Sequence, residues 1–293
     1  VTTFRQRRYG LRAILSGDRC MRPGSVYDAI SVRIAEDLGF EVGMFGGSAA
    51  SLAILGDPDL ALITLSELTE QMRRMSRAGS LPVLVDADHG YGNALNVRRT
   101  VEELEAAGAA GLTIEDTLLP AAFGEARPQL ISAEEGVGKV KAALSARQDP
   151  ALVIVGRTGA ASITSLDDAI ARAKSYEAAG VDALMFTGLK SRAELQAAAA
   201  ATTLPIVFGN PTDDMDWDFL SAQRVRIAIQ GHAPISAATA AVHATLKAVR
   251  DGAAPNELKN LASAELMESV TRGAVVKQRG IDFLGLKDSG LKK

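Results

Sequence analysis

The chain has 293 residues, 47% apolar and 4% aromatic, with 32 Lys and Arg against 35 Asp and Glu, a formal net charge of −3, one cysteine and three histidines. A single cysteine, Cys20, excludes an internal disulfide and any cysteine-built zinc or iron–sulfur site, and three scattered histidines leave little for a histidine-rich zinc centre. A slightly acidic, aromatic-poor chain lacks the basic excess and stacking surface of a nucleic-acid binder.

At the N-terminus Arg5, Arg7, Arg8 and Arg12 are not followed by the apolar segment of a secretory signal. Farther on, no run reaches the ~18 apolar residues of a membrane span, so a cytoplasmic protein without a membrane partner is expected. Eight short apolar runs then recur along the chain. They lie around Arg19–Met21, then at Val42–Phe45, Val83–Val85, Leu112–Ile114, Leu152–Val155, Ala183–Phe186, Ile206–Phe208 and Arg226–Ile229. Short runs rich in Val and Ile read as buried parallel strands. Amphipathic helical stretches fall between them at Tyr27–Leu38, Ser66–Ala78, Asn93–Gly108, Ala133–Ala146, Leu166–Ala179, Ala193–Ala200 and Ile235–Val249. In the third of these, Val97, Val101 and Leu104 make one stripe and Gly108 stands where the helix would stop. Eight strand–helix alternations without a flexible linker predict one (β/α)8 TIM-type barrel over residues 1–252. Residues 253–293 form a helical extension, with one or two helices in Ala254–Val276. Two insertions, Ala49–Leu65 and Leu118–Ser132, are long enough to be lids or binding loops.

A barrel displays its reactive groups where strands end and βα loops begin. Those positions are unusually polar here: Gly46-Gly47-Ser48, Asp86-Ala87-Asp88-His89, Glu115-Asp116, Arg157-Thr158, Asn210 and Gln230-Gly231-His232. Asp86 and Asp88, two residues apart, join Glu115 of the neighbouring strand in a carboxylate cluster. Such acids either cap helices and pair with cations or repel one another until a divalent ion compensates them; three on adjacent strands favour Mg²⁺, with Mn²⁺ as a substitute, held partly through water. Arg157 closes an apolar strand, where it either balances these acids or grips a substrate carboxylate bidentately. Gly47 and Ser48 supply amides and a hydroxyl for an anion, although tight turns use the same residues. His232 is either structural or a donor to substrate, His89 adjoins the acids, and His243 falls within a helix. Neither a dinucleotide fingerprint nor a P-loop lysine is present.

The stretch Asp86-Ala-Asp-His-Gly-Tyr-Gly-Asn93, with Gly46-Gly-Ser48 before it and Ile114-Glu-Asp116 and Gly156-Arg-Thr158 after it, resembles the isocitrate lyase/phosphoenolpyruvate mutase superfamily over roughly residues 10–250. The resemblance implies a Mg²⁺-dependent barrel acting on α-keto acids through an enolate, with Asp59 of Gly56-Asp-Pro-Asp59 helping to hold the metal's waters. Where isocitrate and methylisocitrate lyases carry a Lys-Lys/Arg-Cys-Gly-His loop, this chain has Pro120-Ala-Ala-Phe-Gly-Glu125, without the thiol or lysine of lyase acid/base chemistry. With Gly209-Asn210-Pro211 and Gly231-His232-Ala233, the pattern most resembles the oxaloacetate decarboxylase branch. That branch implies Ser48, Asp86, Arg157 and His232 at the substrate and metal positions. Gly159 and Ile235 depart from it. A C–C lyase of the 2-methylisocitrate type, or a related phosphonate-acting member, is the enzymatic alternative, and a keto-acid-binding barrel without turnover is the non-enzymatic one. The superfamily also implies a homotetramer, a dimer of dimers, with C-terminal helices exchanged between subunits.

Overall fold

The computed structural model describes residues 2–287, so the end of the expected extension, residues 288–293, lies outside the described residues. Eight parallel strands form one sheet in chain order: β1 (Gly24–Ser25), β2 (Gly43–Phe45), β3 (Val83–Asp86), β4 (Gly111–Glu115), β5 (Val153–Thr158), β6 (Ala183–Phe186), β7 (Ile206–Gly209) and β8 (Val225–Ile229). Met21 links the last strand back toward the first, donating its amide to the Arg226 carbonyl at 2.8 Å and accepting from Ala228 at 2.9 Å. This is the expected (β/α)8 architecture. The first strand is displaced from its expected place at Arg19–Met21, because Pro23 has no amide to donate and separates the Met21 bridge from the ladder that starts at Gly24.

The amphipathic stretches fold as helices at Ala29–Asp37, Leu65–Ala78, Ala94–Ala106, Ala133–Ala146, Leu166–Ala179, Arg192–Ala201 and Ala233–Arg250. Most begin at a side-chain oxygen that accepts a first-turn amide: Asp28, Thr64, Asn93, Ser132, Ser165 and Ser191. Each such cap contributes about 1 kcal/mol and sets where the βα loop ends. Four helices lie outside the sequence expectation: Phe4–Ser16, Gly47–Ile54, Ala160–Ile163 and Trp217–Ala222. The second occupies the front of the Ala49–Leu65 insertion. The chain divides into two compact units, Val1–Ile235 and Ser236–Lys293, the second containing the helices Ala264–Thr271 and Gly273–Leu284.

Alternation along the strands sorts the first unit into two cores. Val42, Met44, Leu84, Val153, Val155, Ala183, Met185, Val207, Ile227 and Ile229 pack together inside the barrel. Their neighbours Phe45, Val83, Val85, Leu112, Ile114, Ile154, Leu184, Phe186 and Phe208 pack outward against the helices. Extending the inward parity two residues along β3, β4 and β5 reaches Asp86, Glu115 and Arg157. The two-residue period that fills the barrel thus also aims its charged groups.

The helix Phe4–Ser16 contributes Leu11 and Leu15 to the inner core. Its arginines tie it to the segments that lead into β4, β5 and β6: Arg8 donates to the Glu105 carbonyl at 2.7 Å and pairs with Asp149 at 2.9 Å, and Arg12 reaches the Ala151 carbonyl and the Asp182 carboxylate, both at 2.9 Å. These N-terminal basic residues therefore hold a helix over the end of the barrel remote from the strands' C-termini. Leu11 is fully buried, and Leu11→Ala should destabilise the protein by about 3 kcal/mol in urea unfolding, the cost of an unfilled cavity in a close-packed core.

Candidate active site

At the C-terminal ends of β3, β4 and β5 the inward side chains are an acid, an acid and an arginine. One terminal nitrogen of Arg157 reaches both Asp86 oxygens, at 2.8 and 2.7 Å, and the other pairs with Glu115 at 3.0 Å. Thr113, two residues before Glu115 on the same face of β4, donates its hydroxyl to Asp86 at 2.8 Å. Burial works against the charge on Arg157, but Asp86, Glu115 and Asp88 outweigh it and hold the guanidinium above its ordinary value. Of the two roles open to Arg157 from sequence, balancing the acids is the one seen.

Asp88 is different. Its carboxylate makes no hydrogen bond or ion pair among the described residues and is almost wholly buried. Burial, followed by the charges of Asp86, Glu115 and Asp59, raises its pKa well above the usual carboxylate value. Glu115 is raised mainly by burial as well, with Arg157 pulling the other way. The backbone that presents Asp88 is bent to do so: Asp88 and Tyr91 both have positive φ, 46° and 62°, between a β3 end and the helix starting at Ala94. Asp88 packs against the Gly47 backbone so closely that a Cβ at residue 47 would lie 2.7 Å from its Oδ1. Gly47 is therefore required by a close approach, not merely by a turn.

Ser48 stands in the first turn of the helix Gly47–Ile54 and donates to Asp59 at 2.6 Å. That helix has no side-chain N-cap, so its first amides remain available to an anion. His232, beyond β8, lies against Gly46, and Ser25 Oγ is 2.9 Å from its Nδ1. Burial lowers the His232 pKa, opposed by Asp86 and Asp59.

All eight expected site residues, Gly47, Ser48, Asp59, Asp86, Asp88, Glu115, Arg157 and His232, line one cavity of about 340 Å³. Thr187, Asn210, Met44 and Met185 complete much of its wall, and Leu119 of the fourth-strand insertion reaches it. Among the described residues, no cysteine, lysine or tyrosine lines it. Asp116, next to Glu115, faces the other way and accepts from Tyr176 at 2.8 Å and Arg172 at 3.2 Å, a buried structural network. His89 is buried beside the cavity loop with its pKa lowered to about 4 by burial and Lys139, whereas His243 is exposed. Burial pushes the Cys20 thiol up to about 12, consistent with an inert packing residue.

Thr113 and Ser25 were not singled out by sequence. Thr113 carries a signal, since it shares strand parity with Glu115; Ser25 carries none until β1 is placed correctly. The donor chemistry fits a hard divalent cation, with only oxygen ligands and more carboxylates than the single arginine balances. Among the described residues, no three of these acids are drawn close enough to enclose an ion unaided, and Arg157 stands between Asp86 and Glu115 as their shared partner.

Residues 11–250 match the phosphoenolpyruvate phosphomutase family model. A Rhodopseudomonas palustris (strain BisB5) protein named oxaloacetate decarboxylase is 74% identical over 285 residues, covering 97% of this chain and 99% of the relative. Among solved structures, oxaloacetate acetylhydrolase in complex with 3,3-difluorooxalacetate superposes with a TM-score of 0.86 at 26% identity, covering 98% of this chain and 100% of the other. Phosphonopyruvate hydrolase in complex with oxalate and Mg²⁺ gives 0.85 at 28% identity, covering 97% and 100%.

A buried acid with a raised folded pKa binds more protons in the native than in the unfolded state, so stability falls as pH rises from its unfolded value, about 3.8, toward the folded one. In EDTA at pH 7, Asp88→Asn should therefore raise the denaturation midpoint. The gain should shrink as pH is lowered toward 3.8, and differential scanning calorimetry across that range checks it.

Proposed function

Because the chain belongs to the phosphoenolpyruvate phosphomutase family, we propose that it is a cytoplasmic, Mg²⁺-dependent oxaloacetate decarboxylase, releasing CO2 and pyruvate. The observation that carries this reading is the makeup of the cavity: acids, one arginine and one histidine converge, and among the described residues no thiol, lysine or phenol lines its wall. C–C lyase chemistry of the methylisocitrate type needs such a group. Decarboxylation does not, because CO2 leaves without its proton and water protonates the carbon. The name of the 74% identical relative points the same way.

Asp86, Asp88, Glu115 and Asp59 would hold Mg²⁺, with water completing its shell. When bound, the cation supplies the positive charge that withdraws electrons from an α-keto acid. Ser48 and the first amides of the helix Gly47–Ile54 bind the keto-acid end. Arg157 presents a permanent positive charge on the cavity wall for a substrate carboxylate. His232 lines the same cavity from just beyond β8 and serves the carboxylate that departs or the oxygen on which charge collects. Gly46 and Gly47 keep the backbone close enough for His232 and Asp88 to take these places.

Assembly as a homotetramer, a dimer of dimers with exchanged C-terminal helices, is part of the same proposal. On the helix Ala233–Arg250, Val242, Leu246 and Val249 are exposed, as are Val276 and Phe283 farther on. An apolar groove of about 520 Å³ in the first unit, lined by Tyr27, Ile30, Ile34, Leu38 and Phe40, matches them in character.

Purified protein with Mg²⁺ should consume oxaloacetate above the metal-only background, and EDTA should abolish the difference. Asp86→Ala should lower turnover by about 100-fold, and full activity in that variant would refute the metal assignment. Release of glyoxylate or succinate from a panel of 2-hydroxy acids would favour the lyase alternative, and calorimetric oxalate binding without any turnover would favour a non-catalytic barrel. By size-exclusion chromatography with light scattering, a chain truncated after Gly252 should lose the tetramer; a tetramer of unchanged stability would count against exchange.

A further inference from the structure

We infer that Ser25 is a positioning residue that holds His232 as the Nε2–H tautomer, so that the cavity is offered an N–H donor and not a base. The inference rests on the decarboxylase reading for its chemical meaning, while its geometry stands on contacts remote in sequence. Ser25 ends β1 and His232 follows β8, the two strands flanking the closure at Met21. Ser25 Oγ lies 2.9 Å from Nδ1. On the ring's other edge, a Cβ at residue 46 would fall 2.4 Å from Cε1 and 2.7 Å from Nε2. The imidazole is thus held between a hydroxyl and a bare stretch of backbone, and its plane has little freedom to turn.

The tautomer follows from where each hydrogen can go. With the proton on Nδ1, the ring would donate to Ser25, and the hydroxyl hydrogen of the half-buried serine would be left to solvent, since Ser25 Oγ makes no second hydrogen bond among the described residues. With the proton on Nε2, the Ser25 hydroxyl donates to Nδ1 within the protein and the N–H is left for the cavity. The acids Asp59 and Asp86 line the same cavity and favour the positive edge of an N–H over a lone pair. Burial keeps the ring from charging, in support.

A neutral Nε2–H suits this chemistry. The bond to the departing carboxylate breaks, CO2 leaves, and the electron pair left behind is delocalised onto the keto oxygen as an enolate. Water then supplies the proton to carbon, so nothing requires a base at position 232. A fixed N–H aimed at an oxygen that gains charge stabilises the transition state more than the ground state. Without Ser25, the ring would populate both tautomers, and the Nε2 lone pair would face that oxygen part of the time.

The test uses the full chain labelled with ¹⁵N-histidine. Only three histidines contribute, and the spectrum of His232→Gln identifies the signal of interest. The wild type should show an unprotonated Nδ1 and a protonated Nε2 at His232. Ser25→Ala should give a mixture of tautomers, with kcat on oxaloacetate reduced about fivefold and KM changed far less, the loss expected of one hydrogen bond. Ser25→Thr, which keeps the hydroxyl, should restore both. A wild-type ring protonated on Nδ1, or a tautomer unchanged in Ser25→Ala, would overturn the assignment. Failure of the wild type to turn over oxaloacetate would refute the decarboxylase reading alone, since the tautomer is measured without turnover.

Discussion

The pairing of Arg157 with Asp86 and Glu115 is the constraint around which the mouth of the barrel is organised. Three neighbouring strands, β3, β4 and β5, each end in a charged side chain facing inward, where the surroundings are apolar. Two carboxylates alone would repel one another and the low-dielectric wall; one arginine alone would be an uncompensated buried cation. Together they are tolerated, and with both terminal nitrogens of Arg157 taken by Asp86 and Glu115, Asp88 is left without a direct ion pair among the described residues. Asp88 is the buried acid that this pairing leaves over, and burial together with its acidic neighbours raises its pKa.

The loop after β3 bears the conformational cost of that arrangement. Asp88 and Tyr91 adopt left-handed backbone, each costing on the order of 1 kcal/mol, and Asn210 does the same after β7. Surrounding contacts hold the loop in place: Lys139 donates to the His89 carbonyl at 2.9 Å, Thr100 to the Gly90 carbonyl at 3.1 Å, and the Glu115 amide to the Asp88 carbonyl at 2.9 Å. The last of these couples Asp88 to Glu115 through the main chain. Glycine at 46 and 47 completes the design by leaving room for His232 and Asp88, so the Gly-Gly-Ser run serves close packing and the start of a helix at once.

Much of this was legible beforehand, and the reasons differ by residue. Seven of the eight strands fall on the apolar runs because burial on both faces demands continuous Val, Ile and Leu. β1 escaped, since Gly24 and Ser25 carry no such signature and their pairing depends on Gly43 and Met44 across the ladder. The N-terminal helix escaped because half of its buried face is arginine, and Arg7 and Arg8 are buried only by virtue of carbonyls and acids that lie far along the chain. Among the site residues, the spacing of Asp86, Asp88, Glu115 and Arg157 on adjacent strand ends brought them to one cavity as expected.

By itself, the sequence determined the barrel, the order of its elements and the cluster of acids and arginine at the strand ends, because strand period and βα alternation are local properties. Only the tertiary structure decided how those charges are shared. Glu115 and Asp116 are adjacent acids with the same local signals, yet one faces Arg157 in the cavity and the other faces Arg172 and Tyr176 outside the barrel. Likewise nothing local joins Ser25 to His232, 207 residues away. Such pairings depend on which strands become neighbours when the ring closes, and that information resides in the packing of the whole chain.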